Sequence, residues 1–171
     1  GDSHPDTTFS LTNLATLLTQ MGDYERAEAM YLEALAQRRQ AFETGHPAVA
    51  SVIYQLGWLN SNRNRWTHAE QYHREALALR QSRMGPDHPS VGVSLNALAA
   101  TLRKQGRFEE ARALLEQALS NYRAAYGESH HDIALVLSNL AGVHSDLGEY
   151  ATAEALYAQA LYMDASATLD D

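Results

Sequence analysis

Cysteine is absent from the chain, which removes disulfides and thiolate metal centres from consideration and is compatible with a reducing, cytoplasmic setting. Proline and glycine are sparse, 4 and 10 in 171 residues, in a composition that is 45% hydrophobic and 20% charged. That balance fits an ordered helical protein and leaves no low-complexity segment. No apolar run is long enough to span a bilayer, and no charged-then-apolar signal segment opens the chain as written. Lysine occurs once, at Lys104, among 13 basic residues, a bias that points to a GC-rich bacterial genome. Also missing are a phosphate-cradling glycine loop, a nucleophile elbow and paired carboxylates at a discernible cleft, so no enzyme is expected. A net charge of −8 without a sustained basic stripe would repel a phosphate backbone, so no nucleic-acid partner is expected either.

What the chain does contain is a repeat. Blocks of 42 residues starting at His4, His46, His88 and His130 account for everything after the first three residues. The whole chain is therefore expected to be one domain of four copies, 4–45, 46–87, 88–129 and 130–171. Each copy opens at His-Pro, or His-His in the last, and proline at a first helical position presets the backbone at no loss of a useful N–H. Leucines then recur at helical spacing, at Leu11, Leu14 and Leu18 and again at Leu95, Leu98 and Leu102, which predicts one buried stripe on a first helix. Gly22, Asn64, Gly106 and Gly148 share one column. These are the residue types that best tolerate the left-handed conformation ending a helix. An aromatic follows two residues later in every copy (Tyr24, Trp66, Phe108, Tyr150), and a second helix carries alanine at Ala27, Ala69, Ala111 and Ala153 and again at Ala34, Ala76, Ala118 and Ala160. Repeated alanine lets helices pack closely.

With Ala15, Gly57, Ala99 and Ala141 on the first helix, the columns read L-[AG]…G-x-[YFW]-x-x-A…A-L. This resembles the tetratricopeptide repeat, whose usual period is about 34 residues. The longer period and linkers such as "RMGPDHPSV" resemble the kinesin-light-chain type, found also in bacterial scaffold and signalling proteins. The resemblance implies an all-α fold: an α-solenoid of four helix-turn-helix repeats, about eight antiparallel helices in a right-handed superhelix. It also implies a concave groove lined by the first helices that holds an extended peptide. Fold alone does not fix what such a groove binds.

With Leu14 and Ala15 buried, the resemblance places Phe9, Thr12, Thr16 and Thr19 on the groove face of the first copy. The same positions are Ser51, Tyr54, Trp58 and Ser61 in the second, Val93, Asn96, Ala100 and Arg103 in the third, and Leu135, Ser138, Gly142 and Ser145 in the fourth. Intervals of three, four and three keep each set on one helical face. Tyr54 and Trp58 depart from their sister copies, and large aromatics of this kind are enriched at binding hot spots. Asn13 and Asn139 match one position of the "LNNLA" pattern of kinesin-light-chain repeats, and Asn96 matches its neighbour; Gln55 stands in that pattern in the second copy. Side-chain amides suit recognition of a peptide backbone, and equally suit tying neighbouring helices together.

Charge is uneven. Copy by copy the balance is −3, +2, +1 and −7, with Asp2 supplying the remaining −1. Arg63, Arg65, Arg103, Lys104 and Arg107 lie at the ends of first helices, and Arg103 is expected to face the groove, where a guanidinium favours an acidic ligand. The histidines at the copy boundaries are a full repeat apart, so they read as turn or cap residues rather than as ligands converging on one ion. No metal and no cofactor is assigned.

Two functions follow. The first is a non-catalytic module binding an extended, acidic peptide of a partner protein through Thr12, Asn13, Thr16, Tyr54, Gln55, Trp58, Asn96, Arg103, Ser138 and Asn139. The second is a structural spacer or self-assembly module of a larger scaffold or signalling protein. The last copy ends in "ASATLDD" with no further amphipathic helix, which leaves Leu156, Leu161 and Tyr162 without the cover a terminal repeat needs and favours end-to-end self-association. No membrane partner is expected.

Overall fold

In the computed structural model, residues 5–43 and 46–167 are described; His4 and residues 168–171 of the C-terminal stretch lie outside the described residues. All eight elements among the described residues are α-helices: α1 (Pro5–Met21), α2 (Tyr24–Ala41), α3 (Pro47–Asn62), α4 (Trp66–Met84), α5 (Pro89–Lys104), α6 (Phe108–Tyr126), α7 (His131–Asp146) and α8 (Tyr150–Ala167). None of them is long and apolar enough to cross a membrane. The helices form two compact units, Gly1–Arg83 and Met84–Asp171.

The turn between the two helices of each copy is the same four times. Gly22, Asn64, Gly106 and Gly148 adopt positive φ, between 56° and 83°. The following N–H then reaches back to a carbonyl five residues earlier: Asp23 donates to Leu18, Arg65 to Asn60, Arg107 to Leu102 and Glu149 to His144. This closes the helix end in the manner of a left-handed C-cap. The next aromatic begins the second helix at once, so the two helices of a copy fold back on each other.

The boundary histidines act as caps. His46, His88 and His130 each accept, through Nδ1, the N–H two residues on, from Ala48, Ser90 and Asp132, satisfying one of the donors a helix start leaves open. Two of these rings are also stacked on the aromatic four residues before them, His46 on Phe42 at 4.0 Å and His130 on Tyr126 at 3.9 Å.

In the N-terminal unit α2 packs against both α1 and α3, around Tyr31, Ile53, Leu56 and Leu59. In the C-terminal unit α6 packs against α5 and α7, and α7 against α8. The alanine columns are buried throughout: Ala27, Ala34, Ala69 and Ala76 in the first unit, Ala111, Ala118, Ala153 and Ala160 in the second. One stripe position departs from expectation. Leu14 is 41% exposed, whereas its counterparts Leu56 and Leu140 are 0% and 5% exposed. The reason is positional: α3 and α7 each follow a helix of a preceding copy that packs on them, and among the described residues no helix precedes α1.

Candidate peptide-binding surface

In the N-terminal unit four of the residues expected to face a groove, Phe9, Thr12, Thr16 and Ser51, line one cleft, whereas Tyr54, Trp58 and Ser61 are not among its lining. Phe9, Thr12, Asn13 and Thr16 from α1 and Ser51, Val52 and Gln55 from α3 line a space of about 260 Å³, with Arg38 of α2. A second space of about 180 Å³ shares Phe9 and Arg38 as walls and adds Thr8, Gln37, Ala41, Phe42 and Ala48. The threonines are held in place by their own helix: Thr12 donates to the carbonyls of Thr8 and Phe9, and Thr16 to that of Thr12. Thr16 also shares a 2.8 Å hydrogen bond with the hydroxyl of Tyr31, whose titration is pushed up by burial and partly restored by Thr16 and Thr19. Thr19 itself does not face a groove. It is buried and donates to the Ala15 carbonyl, because it extends the apolar stripe of α1 one residue past Leu18.

Tyr54 is half-buried on α3 and leans on α4. Its ring lies 5.5 Å from that of His73 and 4.9 Å from the Arg80 guanidinium carbon. Burial raises its pKa, with Arg80 pulling the other way. His73 is 2% exposed, seated against Gly57, and its Nδ1 has no hydrogen-bond partner among the described residues. Burial, reinforced by the Arg80 charge, pushes its pKa down to about 4. A Cβ on Gly57 would lie 2.5 Å from the imidazole, so the small-residue column at this copy makes room for a ring. Trp58, one turn after Tyr54, is half-buried.

In the C-terminal unit the Asn139 amide donates to Asn96 Oδ1 at 2.8 Å, linking α7 to α5. The amides therefore do tie neighbouring helices. The bond uses one group of each, and the Asn96 NH2 and the Asn139 carbonyl are respectively a donor and an acceptor, the complement of a peptide unit. Ser138, beside Asn139, is half-buried. Arg103 crosses from α5 to α7, covers the backbone at Gly142 and pairs with Asp146 at 2.5 Å.

The arginines expected to give a local positive field are largely neutralised. Arg63 pairs with Glu25 and Glu28 at 2.8 and 2.7 Å and lies over the Tyr24 ring; Arg107 pairs with Glu110. Arg38, which the sequence reasoning passed over, is different. It donates to the Ala48 carbonyl at 2.6 Å, and among the described residues it has no carboxylate partner. Its signal was available: Arg38 lies four residues after buried Ala34, as Arg80 does after Ala76, so both share the face their helices bury. On α4 the buried residues Ala69, His73, Ala76 and Arg80 follow intervals of four, three and four.

The sequence pattern of the tetratricopeptide repeat matches residues 6–82, 62–124 and 90–165. The chain belongs to the tetratricopeptide repeat family. No curated protein matches it in sequence. Among solved structures it is similar to BtubC (BKLC) from P. vanneervenii, with a TM-score of 0.83 at 23% identity over 94% of this chain and 64% of that one. It is also similar to the nearly identical TPR-like repeats of a Podosopora anserina protein described as a kinesin light chain, with a TM-score of 0.81 at 21% identity over 95% and 77%. The apo form of RapI gives a TM-score of 0.79 at 15% identity over 95% and 57%. The fold of these tetratricopeptide repeats is thus similar to that of kinesin-light-chain-like repeats, and the chain spans less than two thirds of the length of BtubC. Repeats of this family are in general protein–protein interaction modules, typically non-catalytic.

Proposed function

We propose that this tetratricopeptide repeat module holds an extended, acidic segment of a partner protein along its first helices. The observation that carries this reading is the cleft between α1 and α3, where Thr12, Asn13, Thr16 and Gln55 line one space. Those residues come from two copies: Thr12 and Thr16 hold positions that the repeat alignment assigns to a groove, and Asn13 and Gln55 share the column of the asparagine pattern beside it. The Asn96 and Asn139 amides support it in the C-terminal unit, because each keeps a group that pairs with a peptide backbone. Trp58, half-buried three residues after Gln55 on α3, is the aromatic anchor this reading assigns, although it is not among the residues that line the cleft. A random peptide-display selection tests the reading. Peptides recovered on the wild type should bind Trp58→Ala at least tenfold more weakly, the loss of about 2 kcal/mol usual for a tryptophan hot spot. Unchanged binding by a variant with an unchanged melting temperature would remove the groove from the account.

A second reading, end-to-end self-association, is favoured by one specific feature. Tyr157 and Leu161 of α8 are exposed, Leu161 to 70%, although their counterparts Tyr31, Leu115 and Leu35 are buried. Leu14 and Leu17 of α1 are exposed in the same way against buried Leu56 and Leu59. The α8 face and the α1 face are thus the two halves of an ordinary contact between copies, and the occupant of the α8 face is the α1 face of a second molecule. Such a contact is head-to-tail and closes on itself only as a ring. Sedimentation should show mass rising with concentration for the wild type and not for Leu161→Glu; a wild-type monomer at every concentration refutes it.

A further inference from the structure

We infer that Arg38 makes the cleft of the N-terminal unit a carboxylate subsite, which receives one Asp or Glu side chain of the bound peptide. The inference rests on the groove reading above and adds what that reading lacked, a cation with a vacancy beside it. Arg38 is held on α2 by its bond to the Ala48 carbonyl, and that bond engages one of the five N–H donors of a guanidinium. Burial alone lowers its pKa, and it stays charged, as arginine does in proteins. Partly withdrawn from water and without a carboxylate among the described residues, it gains more from an incoming anion than a solvated arginine does. The other arginines contrast with it: Arg39, Arg63, Arg74, Arg103 and Arg112 each have a glutamate or aspartate within salt-bridge reach.

The lining around Arg38 suits the same ligand. Among the described residues the cleft contains no acidic side chain, and the amides of Asn13 and Gln55 form no hydrogen bond with other described residues. Two idle amides and a guanidinium fork supply donors for both oxygens of a carboxylate. The second copy shows the same two columns in contact with each other. Thr12 and Arg38 occupy the columns of Tyr54 and Arg80, and there the Tyr54 ring lies over the guanidinium and Arg80 is only 9% exposed. Thr12 carries no ring to lay over Arg38, and both residues line the 260 Å³ cleft.

The test uses peptides recovered by display on the wild-type chain, synthesised with their acidic positions replaced one at a time by the matching amide. One Glu→Gln or Asp→Asn exchange should weaken wild-type binding about 10- to 100-fold, as for a lost charge-assisted hydrogen bond. Against Arg38→Gln the same exchange should have no effect. Thr12→Tyr, which fills the space as Tyr54 does, should behave like Arg38→Gln while leaving Arg38 and its Ala48 bond in place, so a folding defect in one variant does not decide the matter. Amidating the C-terminus should change nothing; loss of binding on amidation assigns the subsite to a terminal carboxylate and overturns the side-chain assignment. The inference also fails if the acidic exchange weakens binding equally in wild type, Arg38→Gln and Thr12→Tyr. The underlying groove reading fails separately, if the peptides bind Trp58→Ala and Asn139→Ala as tightly as the wild type.

Discussion

Acidification should destabilise the N-terminal unit through a single buried histidine. His73 is neutral in the fold, with its pKa pushed down to about 4 by burial and by Arg80, whereas an unfolded chain offers an imidazole of about 6.5. Below pH 6.5 the unfolded state takes up the proton and the folded state does not, so stability falls as pH falls. The loss accumulates between 6.5 and 4 and stops once both states are protonated. A difference of about 2.5 pKa units corresponds to about 3 kcal/mol, a large part of what a unit of this size has to lose. The groups that face the ring are Arg80 from its own helix and Tyr54 from α3; neither gains a compensating charge over that range. Both tryptophans, Trp58 and Trp66, lie in this unit, so urea unfolding followed by tryptophan fluorescence reports it selectively. The control is His73→Leu, since leucine is the residue the third copy carries at that column, as Leu115, fully buried. Between pH 7.5 and 4 the wild type should lose about 3 kcal/mol more than His73→Leu. Parallel stability curves for the two proteins would refute the reasoning, because they would mean that the ring is protonated as easily folded as unfolded.

Gly57→Ala should destabilise the same unit by about 1–3 kcal/mol, because the new Cβ meets the His73 ring; urea unfolding should show a much smaller cost in a His73→Ala background. Gly106→Ala has open space at its Cβ and a φ of +78°, so it should lose only the strain energy, about 1 kcal/mol, measured as a shift in the urea midpoint with unchanged slope. Removing either amide of the Asn96–Asn139 pair should cost about 1 kcal/mol, and removing both should cost less than the sum, a coupling that a double-mutant cycle reads directly.

What was legible in the sequence was whatever recurs. Four glycines or asparagines in one column could be assigned a left-handed turn because the same backbone need arises four times, and all four adopt it. Alanine columns could be assigned to helix contacts for the same reason. Burial of Leu14 was misjudged because the repeat supplies the residue but not its neighbour: Leu18 of the same helix is buried, whereas Leu14 lies at the position that in α3 and α7 is covered by a preceding helix. Arg38, His73 and Arg80 were passed over for a different cause. Helical periodicity places them on buried faces, but a reading that equates buried with apolar passes over them, and it takes coordinates to show which charge is paired. Comparing copies then explains more than averaging them does. At the column pair of Thr12 and Arg38 the second copy has Tyr54 and Arg80, and the ring of Tyr54 covers the charge that Thr12 leaves uncovered. The aromatic that distinguishes the second copy and the cleft that distinguishes the first are therefore two fillings of one geometry. A ligand carboxylate over Arg38 would take the place that the chain supplies for itself over Arg80.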